Sequence, residues 1–409
     1  MNPLRTRSSL FALAFFVSSI ASAASVKDYY EQIDPQIRKE ILTEMRVRKV
    51  LKAQDGKLED EDDKDNSIHK IDVAQFYQQK CGMPYTRDQQ GRIVRPQVEC
   101  RYTPRPKDNP FSGMSAKFDC AFAEVDKNGQ VKADVRKVKY NADHQDGGGY
   151  KEVPQAVLGS GLGRLLGFYA NTYCAVDLIC HDCPSDDPWN ENGKSHGAAA
   201  VGKKIKFNNV VVEVKQKGST IIDRDHLNSA KPQGFSFNDE MSRYFPTESS
   251  LASGLRIERE ALALWVNFIR HGDADPHNNK LVCVNSTKPE DLTVEKPQCQ
   301  LAAGYVNDYG NSFGYSKDSR PLSLSKFLKS SLKISNGIGI AEGAASSANG
   351  YQVSREGRDL FVSMANQITD DQLKDIFDLA QMNVVSDSSV EQWIQGFRRK
   401  VQEIQNLSF

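Results

Sequence analysis

The segment HGDADPHNN, at positions 271–279, concentrates side chains that could bind a metal ion or accept a proton. Its candidate ligands and bases are His271, Asp273, Asp275, His277 and Asn278. Carboxylate and amide oxygens suit Mg²⁺, imidazoles suit zinc, and a carboxylate can act as a general base. Taken alone, the segment is compatible with a phosphoryl-transfer loop, a metal-hydrolase cluster of the histidines and aspartates, or a polar turn after a helix.

A second acidic turn, Asp308-Tyr309-Gly310, follows this segment along the chain. Between the two lie short apolar stretches at 281–284 and 301–306, which predict the strands of a hairpin. Before them, residues 256–270 place apolar side chains three to four positions apart, which indicates an amphipathic helix. The predicted order is therefore helix, acidic loop, hairpin and Asp-x-Gly turn.

Two lysines and a glutamate precede these turns. Residues 135–140 alternate as in a β-strand that carries Lys137 and Lys139. Side chains two positions apart share one face of a strand, so the alternation does not distinguish the two lysines. A helical pattern over 151–168 opens on Glu152. The GSGLG stretch in that helix indicates close helix packing, because its spacing and context differ from those of a GxGxxG phosphate loop.

In this order, the motifs resemble the protein-kinase-like superfamily. HGDADPHN is closer to the HGDxxPxN loop of small-molecule kinases, such as aminoglycoside phosphotransferases, than to the HRDLKPEN loop of protein kinases. The DYG at 308–310 stands where the family has DFG. The resemblance covers about residues 110–400. It implies an α+β, two-lobed protein-kinase-like fold with a strand-rich N-lobe and a helical C-lobe.

The resemblance also implies ATP as phosphoryl donor and Mg²⁺ or Mn²⁺ as cofactor. Asp273 would position or deprotonate the acceptor hydroxyl, and Asn278 and Asp308 would bind the metal. Lys137 or Lys139, paired with Glu152, would hold the nucleotide phosphates. The substrate would be a hydroxyl-bearing protein, lipid or small molecule.

Several positions depart from the family pattern or bear on the choice of lysine. Val135 favours Lys137, because a small apolar residue two positions earlier suits the wall of an adenine pocket. Asp275 stands where protein kinases carry a lysine, which argues against an ordinary Ser/Thr kinase and leaves other acceptors open. The phosphate-covering loop is reduced, and residues 111–118 (FSGMSAKF) are its best candidate.

Other functions remain compatible with these residues. A pseudokinase would use the same fold as a binding protein, although retention of Asp273, Asn278 and Asp308 favours an active enzyme. A kinase-like enzyme could transfer AMP in place of phosphate. A metal-dependent hydrolase would use His271 and His277 with the neighbouring aspartates. The sequence leaves the acceptor and the oligomeric state open.

The first 23 residues predict a cleaved signal peptide. Arg5 and Arg7 precede an apolar run at 10–20, and Ala21-Ser22-Ala23 is typical of a cleavage site. We therefore expect a secreted or periplasmic protein that has to find ATP outside the cytoplasm. No later apolar run is long enough to predict a transmembrane segment. The formal net charge of +0 gives no indication of nucleic-acid binding.

Eight cysteines in an exported chain predict disulfide bonds. Cys283 and Cys299 bracket a short polar segment and could staple the hairpin, and Cys81 and Cys100 could close a second loop. The full pairing stays open. Cys180 and Cys183 form a CxxC pair, for which disulfide, redox and zinc roles are possible. A zinc site would need two further ligands, and the nearby His181 and His196 lack a standard spacing.

The pattern changes along the chain predict four parts. A signal peptide (1–23) precedes a helical extension with an acidic linker (24–100), which contains the charge run at 59–65 and no interpretable motif. Residues 101–233 are rich in predicted strands and would form the N-lobe. Residues 234–409 are predominantly helical and would form the C-lobe, with a Gly/Ser/Ala-rich loop at 336–350.

Overall fold

A computed structural model defines the fold over most of the chain after residue 67. It describes residues 68–105, 111, 115–125, 130–141, 152–189, 198–215, 219–221, 237, 250–275, 278–283, 302–306, 308–314, 322–343 and 348–409. The predicted signal peptide, the charge run at 59–65 and Cys299 lie outside the described residues, as does His277.

The described chain begins with a small unit that joins the later parts of the fold. It comprises a 3₁₀ turn at Ile68–Lys70, helix α1 (Val73–Cys81) and the strand pair β1 (Thr86–Arg87) and β2 (Ile93–Val94). Helix α1 starts at Asp72, whose carboxylate accepts the Gln75 amide, and ends at Gly82 in the left-handed conformation. Both are typical helix-terminating residues, because they satisfy backbone groups that the helix leaves unpaired.

Five strands then close into a barrel in the order β3-β4-β5-β7-β6. They are β3 (Gln97–Thr103), β4 (Lys117–Val125), β5 (Val131–Lys139), β6 (Thr172–His181) and β7 (Lys204–Val214). Neighbours pair antiparallel except β3 and β6, whose parallel pairing closes the barrel. Strand β5 runs from exposed residues at its start to buried residues at its end. It therefore carries its last side chains into the interior.

Helix α2 (Glu152–Leu165) lies between β5 and β6 along the chain and is buried over most of its length. Its glycines allow close packing. A Cβ atom at Gly159 would lie 2.4 Å from the ring of Tyr309, and one at Gly161 would lie 2.7 Å from the Tyr77 hydroxyl. Any larger residue would push these neighbours away. The GSGLG stretch is thus a helix-packing surface, as its spacing predicts.

The second half of the chain is mainly helical. Its helices are α3 (Ser250–Phe268), α4 (Leu324–Phe327), α5 (Arg355–Gln367), α6 (Asp370–Leu379), α7 (Met382–Val385) and α8 (Val390–Gln405). Helices α6 and α8 each begin with a capping box, formed by Thr369 with Gln372 and by Ser389 with Gln392. An aromatic cluster fills the core between the helices, comprising Phe268, Phe327, Phe361, Trp393 and Phe397.

Two small antiparallel sheets accompany these helices. One contains β8 (Ser219–Ile221), β9 (Asn279–Cys283) and β10 (Ala302–Val306), and the other contains β11 (Leu332–Ser335), β12 (Ile338–Ala341) and β13 (Gln352–Val353). The predicted loop at 336–350 is therefore wrong in its first part. Asn336 and Gly337 both have positive φ and form the tight turn between β11 and β12, a conformation that Asn-Gly adopts readily.

The N-terminal unit contacts both the barrel and the helices. Arg87 donates two hydrogen bonds of 2.8 Å to the carboxylate of Asp375 on α6. The side chain of Gln372, also on α6, donates to the carbonyls of Ile68 and Ile71. On the other side, a disulfide joins Cys81 to Cys174 on β6. This unit, which carries no recognisable motif, thus fastens the strand-rich part to the helical part.

The α+β architecture is confirmed, with a strand-rich part followed by a helical part, and it is compatible with a kinase-like fold. The described end of the predicted helical extension contains β1, β2 and the start of β3 as well as α1. No helix in the described part of the chain combines the length and apolar character needed to cross a membrane.

Disulfide bonds are present, but one suggested pairing is wrong. Cys81 bonds to Cys174, and Cys100 bonds to Cys120, so Cys81 and Cys100 do not close one loop. The reason is that α1 packs against β6, whereas Cys100 lies on β3 beside β4. Cys180 bonds to Cys183. A bond between Cys283 and Cys299 lies outside the described residues.

Candidate active site

Lys139, the last residue of β5, joins three elements of the fold. Its side chain is 3 % exposed, and its Nζ lies 2.7 Å from Oδ1 of Asp308 and 3.6 Å from Oε2 of Glu152. Asp308 belongs to the turn after β10, and Glu152 is the first residue of α2. A strand, a helix and a loop therefore meet at one buried ammonium group.

The charges of this cluster stabilise one another. Burial would lower the pKa of Lys139, but the nearby carboxylates, Asp308 first, raise it above its ordinary value. Burial would raise the pKa of Asp308, but its ion pair with Lys139 holds it well below the usual range. Lys139 and Asp308 are thus charged at neutral pH. The pKa of Glu152 is raised, by burial first and by the charge of Asp308, despite Lys139 and a hydrogen bond from Ser115.

Lys137 lies on the same strand but forms a different pair. Its Nζ lies 2.8 Å from Oε2 of Glu213 on β7, and Asn171 donates a hydrogen bond to the other oxygen of Glu213. Val135, which favoured Lys137, is 51 % exposed and does not form a buried wall. The strand enters the interior only at its end, so Lys139 contacts the acidic turn and Lys137 does not.

The loop that follows α3 is held by the residues just after Asp308. Gly272 donates its amide to the carbonyl of Asn311 at 2.7 Å, and the Asn311 side-chain amide donates to Oδ1 of Asp273 at 3.1 Å. A Cβ atom at Gly272 would lie 2.6 Å from Asn311, so only glycine fits this approach without displacement. The two acidic turns, distant in sequence, are thereby fixed to each other.

Burial raises the pKa of Asp273, and the negative charges of Asp308 and Asp275 add to this effect. The hydrogen bond from Asn311 opposes it in part. A carboxylate with a raised pKa is a better proton acceptor than an ordinary surface aspartate, because it gains more by binding the proton.

Asn278 closes the loop onto Asp273. Its side-chain amide donates to the backbone carbonyl of Asp273 at 3.0 Å, and its backbone amide donates to the carbonyl of Asp275 at 3.0 Å. Because the amide nitrogen of Asn278 is used within the loop, its side-chain oxygen is the atom suited to a cation.

His271 supports the loop from within the core. It is fully buried, its Nδ1 lies 3.3 Å from the carbonyl of Asn311, and its ring packs 5.2 Å from that of Tyr309. Within the described residues, the side chains of His271, Asp273 and Asp275 do not converge into a group that could share one metal ion. The described members of the hydrolase-type cluster therefore share no metal site, and its fourth member, His277, lies outside the described residues.

The Asp-Tyr-Gly turn is shaped by contacts with α2. Asp308 has a φ of 59°, in the left-handed region, where aspartate is tolerated better than most residues. Tyr309 is buried against Gly159, and a Cβ atom at Gly310 would lie 2.8 Å from the side chain of Glu152. These contacts direct the Asp308 side chain towards Lys139.

A second lysine, which the sequence did not indicate, lies at the same place. Lys117 on β4 is directly opposite Lys139 in the strand register and is 5 % exposed. Its Nζ lies 5.3 Å from the ring centroid of the buried Trp189. Burial, and then repulsion by Lys139, lowers the pKa of Lys117 to about 8. Lys117 belongs to the segment 111–118 that the sequence offers as a phosphate-covering loop, but the structure places it at the start of β4.

Comparisons with known proteins add little to this geometry. No protein-family model matches the chain, and no curated protein sequence is similar to it. The chain is similar to the crystal structure of a Helicobacter pylori proinflammatory kinase, CtkA, at 9 % sequence identity and a TM-score of 0.39. The similarity covers 76 % of this chain and 95 % of that one. What the site can do therefore has to be judged from its own residues.

The residue types at this site suit a divalent cation and the phosphates of a nucleoside triphosphate. Carboxylate oxygens of Asp308 and the amide oxygen of Asn278 are the hard oxygen donors that Mg²⁺ and Mn²⁺ prefer. The ammonium groups of Lys117 and Lys139 supply two positive charges for phosphate oxygens. Each is more than nine-tenths buried, so its attraction for phosphate is screened less than at the surface.

Proposed function

We propose that this protein is an exported phosphotransferase, which transfers the γ-phosphoryl group of ATP to a hydroxyl acceptor with Mg²⁺ or Mn²⁺ as cofactor. The observation that carries the proposal is the buried contact of Lys139 with both Asp308 and Glu152, next to a loop that holds Asp273. Phosphoryl transfer requires mainly positioning and charge stabilisation, and these residue types supply both.

Each residue has a distinct role in this proposal. Lys139 binds the nucleotide phosphates, and Glu152 keeps its ammonium group in place. Asp308 and Asn278 would hold the metal ion, which would neutralise charge on the phosphates during transfer. When the nucleotide is bound, the phosphates take over part of the interaction that Lys139 makes with Asp308.

Asp273 acts on the acceptor. The acceptor oxygen forms a bond to the γ-phosphorus while the bond from that phosphorus to the β,γ-bridging oxygen breaks, and ADP leaves with the electron pair. The proton of the acceptor hydroxyl passes to the carboxylate of Asp273. Its raised pKa makes it suited to accept that proton, and the hydrogen bond from Asn311 holds the carboxylate in place.

The disulfide bonds support the part of the proposal that concerns location. All three described disulfides lie in the strand-rich part and its N-terminal unit. Such bonds persist in oxidising compartments outside the cytoplasm. Cleavage of the signal peptide after Ala23 and secretion or delivery to the periplasm belong to the same proposal, and N-terminal sequencing of the exported protein tests the cleavage.

Nucleotide binding is the first test. Thermal unfolding is measured with ATP plus Mg²⁺ or Mn²⁺ for the wild type, for Asp308→Ala and for Lys137→Met. We expect stabilisation of the wild type and of the Lys137 variant, and no stabilisation of the Asp308 variant. The Lys137 variant is a matched control because it removes a strand lysine that pairs with Glu213 rather than with Asp308. Absence of any nucleotide effect on the wild type would sink the proposal.

The transferred group is the second test. The wild type is incubated with ATP labelled either at the α- or at the γ-phosphate, together with candidate protein, lipid and sugar acceptors. Label transfer from the γ position alone is expected for a phosphotransferase. Transfer from the α position would show AMP transfer instead. Nucleotide binding without transfer to any acceptor, including the protein itself, would support a pseudokinase.

A further inference from the structure

Two disulfides of the barrel lie side by side and form a four-cysteine cluster, Cys100, Cys120, Cys180 and Cys183. The sulfur atoms of Cys100, Cys120 and Cys180 all lie within 4.8 Å of one another, and Cys183 is bonded to Cys180. All four residues are buried. The cluster is separate from the charged side chains around Lys139, and neither the proposed phosphoryl transfer nor the metal bound by Asp308 uses it.

The strand register explains why these residues meet. Cys100 on β3 is directly opposite Cys180 on β6 in the parallel pair that closes the barrel. Cys120 on β4 is opposite Tyr102, two residues from Cys100 on the same face of β3. The Cys180–Cys183 pair thus receives a second cysteine pair from strands that are distant in sequence. This second pair is what the CxxC spacing alone lacks as a metal site.

We propose that, in the reduced protein, the four-cysteine cluster binds one zinc ion through its four thiolates. A tetrahedral site with Zn–S bonds of about 2.3 Å requires neighbouring sulfurs to lie about 3.8 Å apart. The sulfurs of Cys100, Cys120 and Cys180 lie within 4.8 Å of one another. On reduction, the bonded sulfurs within each disulfide would move from about 2 Å to about 3.8 Å apart, which side-chain rotation permits.

The turn between Cys180 and Cys183 is held independently of their disulfide. Asp182 has a φ of 59°, and its amide donates to the carbonyl of Lys203 at 2.7 Å. The carboxylate of Asp182 accepts the Gly202 amide at 2.8 Å, and its carbonyl accepts the Ala200 amide at 2.9 Å. When the disulfide is reduced, these bonds keep the two sulfurs of the turn near each other. Such preorganisation favours metal binding.

Positive charge lies close to the cluster. Four thiolates and one Zn²⁺ carry a net charge of −2, which is costly to bury without compensation. Arg101, adjacent in sequence to Cys100, forms an ion pair with Asp182 inside the turn, and the Lys203 ammonium donates to the carbonyl of Pro184 at 3.1 Å. Asp182 balances the charge of Arg101, so Lys203 is the cation of this pair that offsets part of the charge of a zinc tetrathiolate.

Zinc binding and disulfide formation are alternative states of the same sulfurs. Four zinc-bound thiolates give up four electrons, form the two disulfides and release Zn²⁺. A disulfide-bearing oxidant of the export compartment is the electron acceptor, and two of its disulfides become four thiolates. Zinc would hold the barrel together before oxidation, and it would keep these cysteines from bonding to Cys81 or Cys174.

The test uses the full chain and cobalt as a spectroscopic probe. The protein is fully reduced with a phosphine in denaturant and refolded with Co²⁺. We expect one Co²⁺ per chain, with the visible bands of a tetrahedral tetrathiolate, and displacement of cobalt by Zn²⁺. Refolding with a chelator should lower the yield of folded, reduced protein, as judged by near-UV circular dichroism.

Matched double variants assign the ligands. Cys100→Ser with Cys120→Ser should lose the tetrathiolate bands. Cys81→Ser with Cys174→Ser removes the described disulfide outside the cluster and should retain one cobalt, as should Cys283→Ser with Cys299→Ser. Absence of the bands in the wild type, or their persistence in the Cys100/Cys120 variant, overturns the proposal.

A second measurement does not depend on refolding. The chain is retained in a reducing cytoplasm by inhibiting export, purified under reducing agent, and its zinc content is determined by elemental analysis and native mass spectrometry. One zinc per chain is expected for the wild type and none for the Cys100/Cys120 variant. A zinc-free wild type, in cells supplied with zinc, would contradict the inference.

Discussion

The two sides of the candidate active site are built differently. The strand side places Lys117 and Lys139 opposite each other on β4 and β5, where the ladder of backbone hydrogen bonds fixes their separation. The loop side places Asp273 and Asp308 on two turns that depend on a few hydrogen bonds through Asn311. The cations therefore lie on paired strands, whereas the carboxylates lie on turns that hydrogen bonds to Asn311 connect.

Each side contributes one residue to an ion pair and one residue whose pKa is shifted towards neutral pH. Lys139 and Asp308 form an ion pair, in which each raises the stability of the other's charged form. The pKa of Lys117 is lowered and that of Asp273 is raised, so both are shifted towards neutral pH. When two residues of the same type have different pKa values because their environments differ, they often have different chemical roles. We infer that the ion pair organises the site, whereas Lys117 and Asp273 respond to substrate.

Loss of the Asp273 carboxylate should have the largest effect on phosphoryl transfer. Asp273→Asn keeps the size of the side chain and removes the proton acceptor, so phosphoryl transfer should fall by a factor on the order of 10³. Stabilisation by ATP with Mg²⁺ should remain within a few-fold of the wild type. Thermal unfolding and γ-phosphate transfer measured on the same samples check both. Equal loss of binding and transfer would assign Asp273 to the nucleotide and not to the acceptor.

The two strand lysines offer the next test, because they differ mainly in their depth along β5. Lys139→Met should lower phosphoryl transfer by roughly 10²-fold or more, because it removes a buried charge from the phosphates. It should also destabilise the protein, since Asp308 loses its ion-pair partner. Lys137→Met should change transfer by only a few-fold, because Lys137 pairs with Glu213. Steady-state rates of phosphoryl transfer by both variants test this expectation. A larger loss in the Lys137 variant would indicate that the nucleotide phosphates bind near Lys137, at the more exposed part of β5.

The sequence predicts the order of the elements around this site better than it predicts which side chains meet there. The order of β5, α2, α3 and the two acidic turns follows from periodicity and motif spacing, and the structure contains all of these elements. Periodicity assigns Lys137 and Lys139 to one face but carries no information about how deep each position lies. That depth depends on where α2 and the turn at Asp308 meet the strand.

Other features depend on contacts between distant segments. Asn311 connects the two acidic turns, and Lys117 enters the site only because β4 pairs with β5. The Cys81–Cys174 bond requires that α1 dock on β6. None of these three contacts leaves a local signature in the sequence. The Asn336-Gly337 turn is different, because its signal was present but was masked by the surrounding Gly, Ala and Ser residues.

The stability of the protein should be sensitive to one added methyl group where helix α2 contacts the turn that carries Asp308. Gly159→Ala would place a Cβ atom 2.4 Å from the ring of Tyr309 and displace the turn that carries Asp308. We expect a loss of about 1–3 kcal/mol of unfolding free energy, only partly offset by the better helix propensity of alanine. Gly163→Ala is the matched control, because its nearest contacts are at 3.3 Å. Denaturant unfolding compares them, and an equally stable Gly159 variant would show that Tyr309 has room to move.

The smallest effect is expected from Lys117, the strand lysine whose pKa is lowered. With a pKa lowered to about 8, the Lys117 ammonium is charged below that pH and loses its proton above it. Affinity for ATP with Mg²⁺ should therefore fall as pH rises from about 7 to 9, by roughly the few-fold that one phosphate contact of about 1 kcal/mol provides.

Lys117→Gln isolates this contribution. The variant should bind ATP more weakly than the wild type at pH 7, approach it at pH 9, and show a flatter dependence between them. Lys137→Met, titrated in the same buffers, should keep the wild-type slope. A Lys117 variant with the full wild-type slope would assign the titration to another group. The strand side would then contribute a fixed charge only, and adjustment to the substrate would rest with the loop that carries Asp273.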